Sequence, residues 1–512
     1  MNLLLISLQK DLDTIGLKYL HYYLLGKKYH SHLLYLPHFK PDGRICKRLL
    51  IDFVRDIKPG LIGISLMSTE YHAAAKLTLC LRDFVKSAPI VWGGIHPTIS
   101  PEQCLRYADY VCVGEGERTM ADMAEAVRDG SVIKKINNLL YCENGDIRRT
   151  PLYPLIEDLD TIPPYEHIPA NSYVMTKRKI RRLDKRIFSY YARYFGKIYS
   201  AITTRGCPFS CTYCCNNSIS RLYPTKKVRR RSIDAVMEEL EKAIIANPEI
   251  ESINFQDDCF LHCSDDHLKN FCAVYKERIT RPFIIRAIPR YINEKNIAAL
   301  KESGIGWISL GLQSGSDRVC RDVYKRNSFK EDFIRAARLI KRYNIAAFYD
   351  IILDNPFETE EDNLETIETL IATPKPFYTQ LFSLVFYKGT ELYERAKAQF
   401  PEYAKGYLTK DYSVPHRSTI NILIRLSTLI DDKDMRRIVN LYKRHGKRIW
   451  FMFFICIIEI FATLIITPIT YFRVIKLSKN HSYMKTFRIL PLYIREGSRR
   501  LVNAVKGVSC GG

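Results

Sequence analysis

The chain is short of acid. Against 78 Lys and Arg it carries 55 Asp and Glu, leaving a formal charge of +23. Such an excess speaks about partners, not about fold. The densest basic runs are Lys177–Arg182 with Lys185 and Arg186, and Lys226–Arg231. Runs of this kind more often form solvated faces than binding sites, and they would serve a nucleic acid or an anionic membrane equally well. An export signal is also missing: Met1–Leu8 has no basic leader, is too short for a secretory segment and turns polar at Gln9, so it reads as a first β-strand. Nor is there a disulfide framework, because the fifteen cysteines are odd in number and scattered. They fit a reducing cytoplasm. With 47% apolar and 26% charged residues the composition is globular, and 512 residues leave room for two or three domains.

What is present begins with Cys207-Pro-Phe-Ser-Cys211-Thr-Tyr-Cys214, a C-x3-C-x2-C spacing on one short stretch. Three thiolates on a tight loop can hold three corners of a [4Fe–4S] cluster, which normally takes four cysteines. The fourth iron then stays open to a small chelating molecule. A structural zinc site would need four ligands, usually as two separated pairs, and no such pair follows closely. Cys215 reads as a packing residue. The loop resembles the signature of the radical S-adenosylmethionine (SAM) superfamily. The resemblance implies that Cys207, Cys211 and Cys214 are metal ligands and catalytic. It also implies that SAM occupies the open iron and that its reductive cleavage yields a 5′-deoxyadenosyl radical. An external one-electron reductant of flavodoxin or ferredoxin type follows as a partner.

Residues 1–135 alternate strands and helices, with strands at Leu3–Leu8, His32–Leu36, Leu61–Leu66, Ile90–Trp92 and Tyr110–Val113. Such alternation predicts a parallel, doubly wound sheet whose strand carboxyl ends carry the ligand loops. Those loops hold Ser65, Thr69, Gly93, Gly94, His96, Gly114, Glu115 and Gly116. Gly93-Gly94-x-His96-Pro97-Thr98, Val113-Gly114-Glu115-Gly116-Glu117 and Leu159–Pro163 resemble the Rossmann-like cobalamin-binding domain that precedes the radical SAM domain in one subfamily. By that resemblance these loops bind cobalamin. Methionine-synthase-like members ligate cobalt with the His of D-x-H-x-x-G. Asp11-Leu-Asp13-Thr-Ile-Gly16 has that frame with Asp13 in place of the His, so cobalamin is expected without a lower protein nitrogen ligand. His96 reads as a packing or hydrogen-bonding residue.

Residues 136–197 read as a linker. Residues 198–400 then repeat strand and helix six times, predicting a partial (β/α)6 barrel with functional side chains at strand carboxyl ends. The resemblance places SAM contacts there: Tyr213 near the adenine, Asp257 and Asp258 in an F-x-D-D-x-F pattern for the amino group, and Arg286 for the carboxylate. Gln313, Ser314 and Ser316, in a segment similar to G-x-E-S-G-S with Gln for Glu, would meet the ribose and methionine. Arg326 matches the family's K-R segment. Asp257 and Asp258 could instead cap the next helix.

Residues 401–512 are expected to be helical, with an apolar stretch at 449–472 interrupted by Glu459 and Pro468. Lys443, Arg444, Lys447 and Arg448 precede it, and Arg473 and Lys476 follow. A helix lying in the membrane interface ranks first, a single span second and a buried helix third. The fold class is therefore α/β: a Rossmann-like domain, a partial barrel and a helical carboxyl-terminal region. The expected function is cobalamin-dependent radical SAM chemistry with a [4Fe–4S] cluster, for C-methylation of a small-molecule or lipid-like substrate. Alternatives are cyclisation or rearrangement, tRNA methylthiolation and a membrane-docked iron–sulfur regulator. Nucleic acid is the weaker partner, since Cys46, Cys80, Cys104 and Cys112 do not match a methylthiotransferase pattern.

Overall fold

A computed structural model describes residues 1–477 apart from 38, 41, 42, 224, 226, 411 and 447. Lys226 and Lys447 of the basic runs, and residues 478–512 of the expected helical region, lie outside the described residues. The first sheet has nine strands: β1 (Asn2–Ser7), β2 (His30–Tyr35), β3 (Leu61–Ser65), β4 (Ile90–Gly93), β5 (Tyr110–Cys112), β6 (Leu139–Glu143), β7 (Asp146–Arg149), β8 (Ser172–Met175) and β9 (Ile180–Arg182). Their order is β7-β6-β5-β4-β3-β1-β2-β8-β9. The inner pairs are parallel, while β5/β6, β6/β7 and β8/β9 are antiparallel.

Period-2 alternation divides the buried residues between the two faces. Leu4, Ile6, Leu34, Ile62 and Ile64 pack under one helical layer, and Leu3, Leu5, Leu33 and Leu61 under the other. The chain runs outward through β2 on one side of β1 and through β3, β4 and β5 on the other. That reversal opens a crevice at the carboxyl ends of β1 and β3.

The segment 136–197 differs from the expected linker. It supplies β6 to β9, so the first sheet runs to Arg182, and helix Lys185–Tyr191 follows. The signal was local: Asn144 (φ 53°) and Gly145 (φ 86°) make the two-residue turn that joins β6 to β7. The four strands are three to five residues long, β7 and β9 are the sheet's edges, and β7 is exposed throughout, so no long apolar run marked them.

The second sheet is all parallel in the order β10 (Ile198–Ala201), β13 (Ser252–Phe255), β14 (Phe283–Ala287), β15 (Ile305–Gln313), β16 (Ala346–Leu353) and β17 (Tyr378–Ser383). Between its first two members, β11 (Thr204–Arg205) and β12 (Arg229–Arg230) form a small antiparallel ribbon. Helices after the strands start where a side chain accepts the first free backbone N–H groups: Ser232, Ser264, Asn293, Thr359 and Thr390 each cap one. The result is a partial barrel with sequential strand order. Helices Thr419–Ser427 and Asp432–His445 pack beside it, and a long helix, Ile449–Leu477, ends the described chain.

Candidate functional site

The cysteine loop leaves the carboxyl end of β10, and its root is fixed from below. Asp257, 1% exposed at the end of β13, accepts hydrogen bonds from the Thr203 amide (3.0 Å), the Thr203 hydroxyl (2.9 Å) and the Thr204 hydroxyl through one oxygen. Its other oxygen is buried without a partner. Burial raises its pKa, and the threonine hydrogen bonds oppose that rise. Asp257 therefore holds the strand that presents the cysteines and does not face the lumen. Neither aspartate caps the next helix, because Ser264 does. Asp258, the next residue, is the accessible carboxylate; it lies beside Asn216 and Arg286, and its charge is felt at Cys207 and Cys214.

Beyond the root, Thr212 ties the loop to the segment after β15: its amide donates to Tyr324 (3.0 Å) and its hydroxyl to Val323 (2.7 Å). Arg326, 6% exposed, donates to the Tyr213 hydroxyl (3.2 Å) and to the Gly311 carbonyl (2.8 Å), and Tyr213 packs edge-on against Tyr324 at 4.9 Å. Burial pushes the Cys207 thiol up to about 12 and raises Cys211, the latter opposed by the Arg326 charge. A hydrogen bond with Cys215, then burial, raises Cys214. Thiols this well buried become thiolates when a cation takes the protons' place. Among the described residues no three His, Cys, Asp or Glu side chains are arranged to hold a single metal ion. Cys207, Cys211 and Cys214 are three thiols on one short loop, the kind of donor set that three corners of an iron–sulfur cluster use. Cys215 is a hydrogen-bonding neighbour of Cys214.

Gly206 and Cys207 line a cavity of about 510 Å³ together with the carboxyl-end loops of β1, β3, β4 and β5. Ser65, Gly93, Gly94, Gly114, Glu115 and Gly116 are on its wall. Two glycines there permit close backbone approach. Gly94 has φ +98°, and a Cβ on it would stand 3.0 Å from the Ser65 hydroxyl; Gly114 has φ +85°, and its Cβ would land on the Tyr223 hydroxyl. Glu115 has another duty. It accepts from Arg205 (3.1 Å), Arg229 (2.8 Å) and the Ile156 amide (2.9 Å), so that despite burial its carboxyl is held below the usual range. Arg205 also reaches Glu117 at 2.5 Å. This cluster clamps the first domain to the ribbon beneath the cysteines.

Two expected contacts of this cavity are elsewhere. Thr69 is exposed and bonds to Glu70 (2.9 Å), one turn beyond the cavity wall. His96 is fully buried, bonded through Nδ1 to Ser68 (3.0 Å) and packed on Tyr71, and burial lowers its pKa to about 4. It is a neutral packed imidazole. A glycine-walled crevice at a switch point, facing the cysteine loop, fits a flat corrin. Asp13, where a cobalt-binding His would stand, accepts from Ser200 of the barrel (2.8 Å).

The barrel lumen is a second cavity, of about 690 Å³. Every strand sends a polar side chain into it, among them Ser200, Asn254, Arg286, Ser309, Asp350 and Gln380. Arg286 donates to Gln256 and lies near Asp350 and Asp258. Asp350 accepts from Ser309 (3.1 Å) with one oxygen, and burial lifts its pKa to about 6. Strand alternation could have revealed this polar layer, because each member sits at an inward position of an otherwise apolar strand. Ser314 and Ser316 do not join it. Both are 1% exposed and turned toward helix Glu360–Ile371, where Ser316 donates to Asp362 (2.7 Å) and the Ser314 hydroxyl lies 3.4 Å from that of Thr366. Gln313, with φ +68°, ends β15 at the rim.

With this geometry in view, the Radical SAM superfamily profile matches residues 201–370 and the B12 binding domain profile matches residues 1–124. The chain is 28% identical over 355 residues to an uncharacterized methyltransferase, PH0819, of Pyrococcus horikoshii, covering 67% of this chain and 71% of that one. It is similar in fold to the radical SAM methyltransferase TsrM of Kitasatospora setae, solved with cobalamin and a [4Fe–4S] cluster. That likeness has a TM-score of 0.62 and 18% identity, and covers 78% of each chain. The cobalamin-dependent SAM radical enzyme OxsB, solved with aqua-cobalamin, gives a TM-score of 0.65 at 15% identity over 99% of this chain and 81% of that one. A glycine-walled crevice and a three-cysteine barrel loop share one cavity, and the chain carries a B12 binding domain match over residues 1–124 ahead of a Radical SAM superfamily match over residues 201–370.

Proposed function

We propose that this chain is a cobalamin-dependent radical SAM enzyme that methylates an unactivated carbon of a small molecule or lipid held in the barrel lumen. One observation carries the reading: the cysteine loop and the glycine loops of the first domain wall the same cavity, beside a polar lumen. When bound, the cluster supplies the electron that cleaves SAM, and cobalamin supplies a methyl group. The protein's part is placement and exclusion of water. Cys207, Cys211 and Cys214 hold three irons. Asp258 and Arg286 are suited to the amino and carboxylate groups of SAM, while Asp257 and Arg326 keep the loop and Tyr213 in position. Asp350 can hold a proton near neutral pH within reach of a substrate. A lumen of this size, lined by the barrel strands, supports a small substrate over a nucleic acid. An external one-electron donor and a cytoplasmic location at or near a membrane complete the proposal.

The test is anaerobic reconstitution with iron, sulfide and cobalamin, followed by assay for 5′-deoxyadenosine. The expected result is product from the reconstituted chain and none from Cys207→Ala. Equal product from both would overturn the catalytic assignment, and absence of bound corrin would remove the methyl-carrier role.

A further inference from the structure

The last described helix has two unlike faces. It is one continuous rod of 29 residues, Ile449–Leu477, with a π-turn at Ala462–Ile466. Pro468 explains the turn, since it can offer no N–H to the preceding turn and its ring needs room there. Phe451, Ile455, Glu459 and Ala462 are buried along one stripe against the rest of the protein. Glu459, the charge that would be costly in a bilayer centre, is met by Arg425 (3.0 Å) and Arg417 (3.3 Å). Farther on, Val474 and Ile475 pack with Ile198, Ile284, Trp307 and Ala346, each near the beginning of its barrel strand. The helix therefore crosses the barrel mouth where the strands start.

The opposite stripe is bare. Ile449 is 73% exposed, Phe453 64%, Ile457 68%, Phe461 56% and Leu464 56%, at spacings of four, four, four and three. Lys443, Arg444 and Arg448 stand before this stripe and Arg473 and Lys476 near its end. An apolar stripe between cationic ends complements an anionic bilayer surface. A helix packed along one face and bare along the other suits a position in the plane of the interface.

Between the two faces, Thr463, Thr467 and Thr470 follow at i, i+4 and i+7 and line the lumen. Around them the lower lumen is aromatic and apolar, with Ile284, Trp307, Phe348 and Tyr378. The upper lumen, toward the cysteines, carries Arg286 and Asp350.

We propose that the exposed stripe seats the open mouth of the barrel on an anionic membrane, and that the substrate is an amphiphile taken from it. Its apolar chain rests in the lower lumen past the threonine lip, and its polar end, where the reaction occurs, lies by Arg286 and Asp350. This deepens the proposed function and rests on the lumen being the substrate chamber.

Two measurements test it on the full reconstituted chain. Sedimentation with phosphatidylcholine vesicles, with or without phosphatidylglycerol, should show at least about tenfold more bound protein when the anionic lipid is present, decreasing with salt. The triple variant Phe453→Glu, Ile457→Glu, Leu464→Glu should lose that binding yet form 5′-deoxyadenosine in vesicle-free buffer as before. Failure to bind, unchanged binding by the triple variant, or conversion of a dimer to a monomer by it would overturn membrane docking. The second measurement uses the three tryptophans. In Trp450→Phe, emission comes from Trp92, sealed in the first sheet, and Trp307, in the lower lumen. Vesicles with brominated acyl chains should quench part of it; no quenching would overturn chain entry into the barrel. Loss of 5′-deoxyadenosine in the unmodified chain would instead strike the catalytic reading and leave both lipid results readable.

Discussion

Asp257 and Asp258 are neighbours with the same side chain, and the structure separates their work. Asp257 spends one oxygen on three donors under the cysteine loop, while Asp258 is open to the site. Asp257→Asn should loosen the loop root at a cost of about 1–3 kcal/mol and lower the iron bound after reconstitution. Asp258→Asn should keep its iron and bind SAM more weakly, read by equilibrium dialysis. Asp350 gives a pH signature. Its carboxyl titrates near 6 in the folded chain against an ordinary 3.8. Between those values the folded state holds a proton that the unfolded chain has lost, so this group's contribution is full below 3.8 and disappears as pH rises through 6. Relative to the native chain, Asp350→Asn should gain stability from about pH 4 to pH 7, by at most roughly 3 kcal/mol, measured as urea midpoints. The cluster and SAM were legible as cofactors because their chemistry depends on cysteine spacing along one short loop. Ser314, Ser316 and Thr69 were misread because sequence order does not say which way a rim residue turns.

At the scale of elements, the loop Gly114–Glu117 is both cavity wall and joint. Glu115→Gln should leave Arg205 and Arg229 short of a partner in a half-buried cluster and lower stability by about 2–4 kcal/mol. The charge-conserving Glu115→Asp should restore part of it, measured by thermal melting at matched salt. Gly114→Ala should be worse than a typical surface change, since it combines a left-handed backbone angle with a clash on Tyr223; corrin retention by absorbance is the readout. Alternating apolar strands and capped helices made both sheets readable, because burial on two faces leaves a periodic trace. The β6–β9 additions left little: they are three to five residues long, the outer two, β7 and β9, are basic edge strands, and only the Asn144-Gly145 turn announced the first pair.

For the whole molecule, the buried apolar clusters of the two sheets do not include Cys207, Cys211 or Cys214. Anaerobic chelation of iron should therefore leave far-UV circular dichroism unchanged and lower the melting temperature by only a few degrees, unlike a zinc finger, which unfolds without its metal. Domain order was legible from motifs spread along the chain, whereas the two-faced character of the last helix needed its neighbours. One further consequence follows from Asp13, which lines both cavities and is held by Ser200. The partition between the two chambers includes its carboxylate. Trimming that bulkhead to alanine should therefore widen the passage between the rooms.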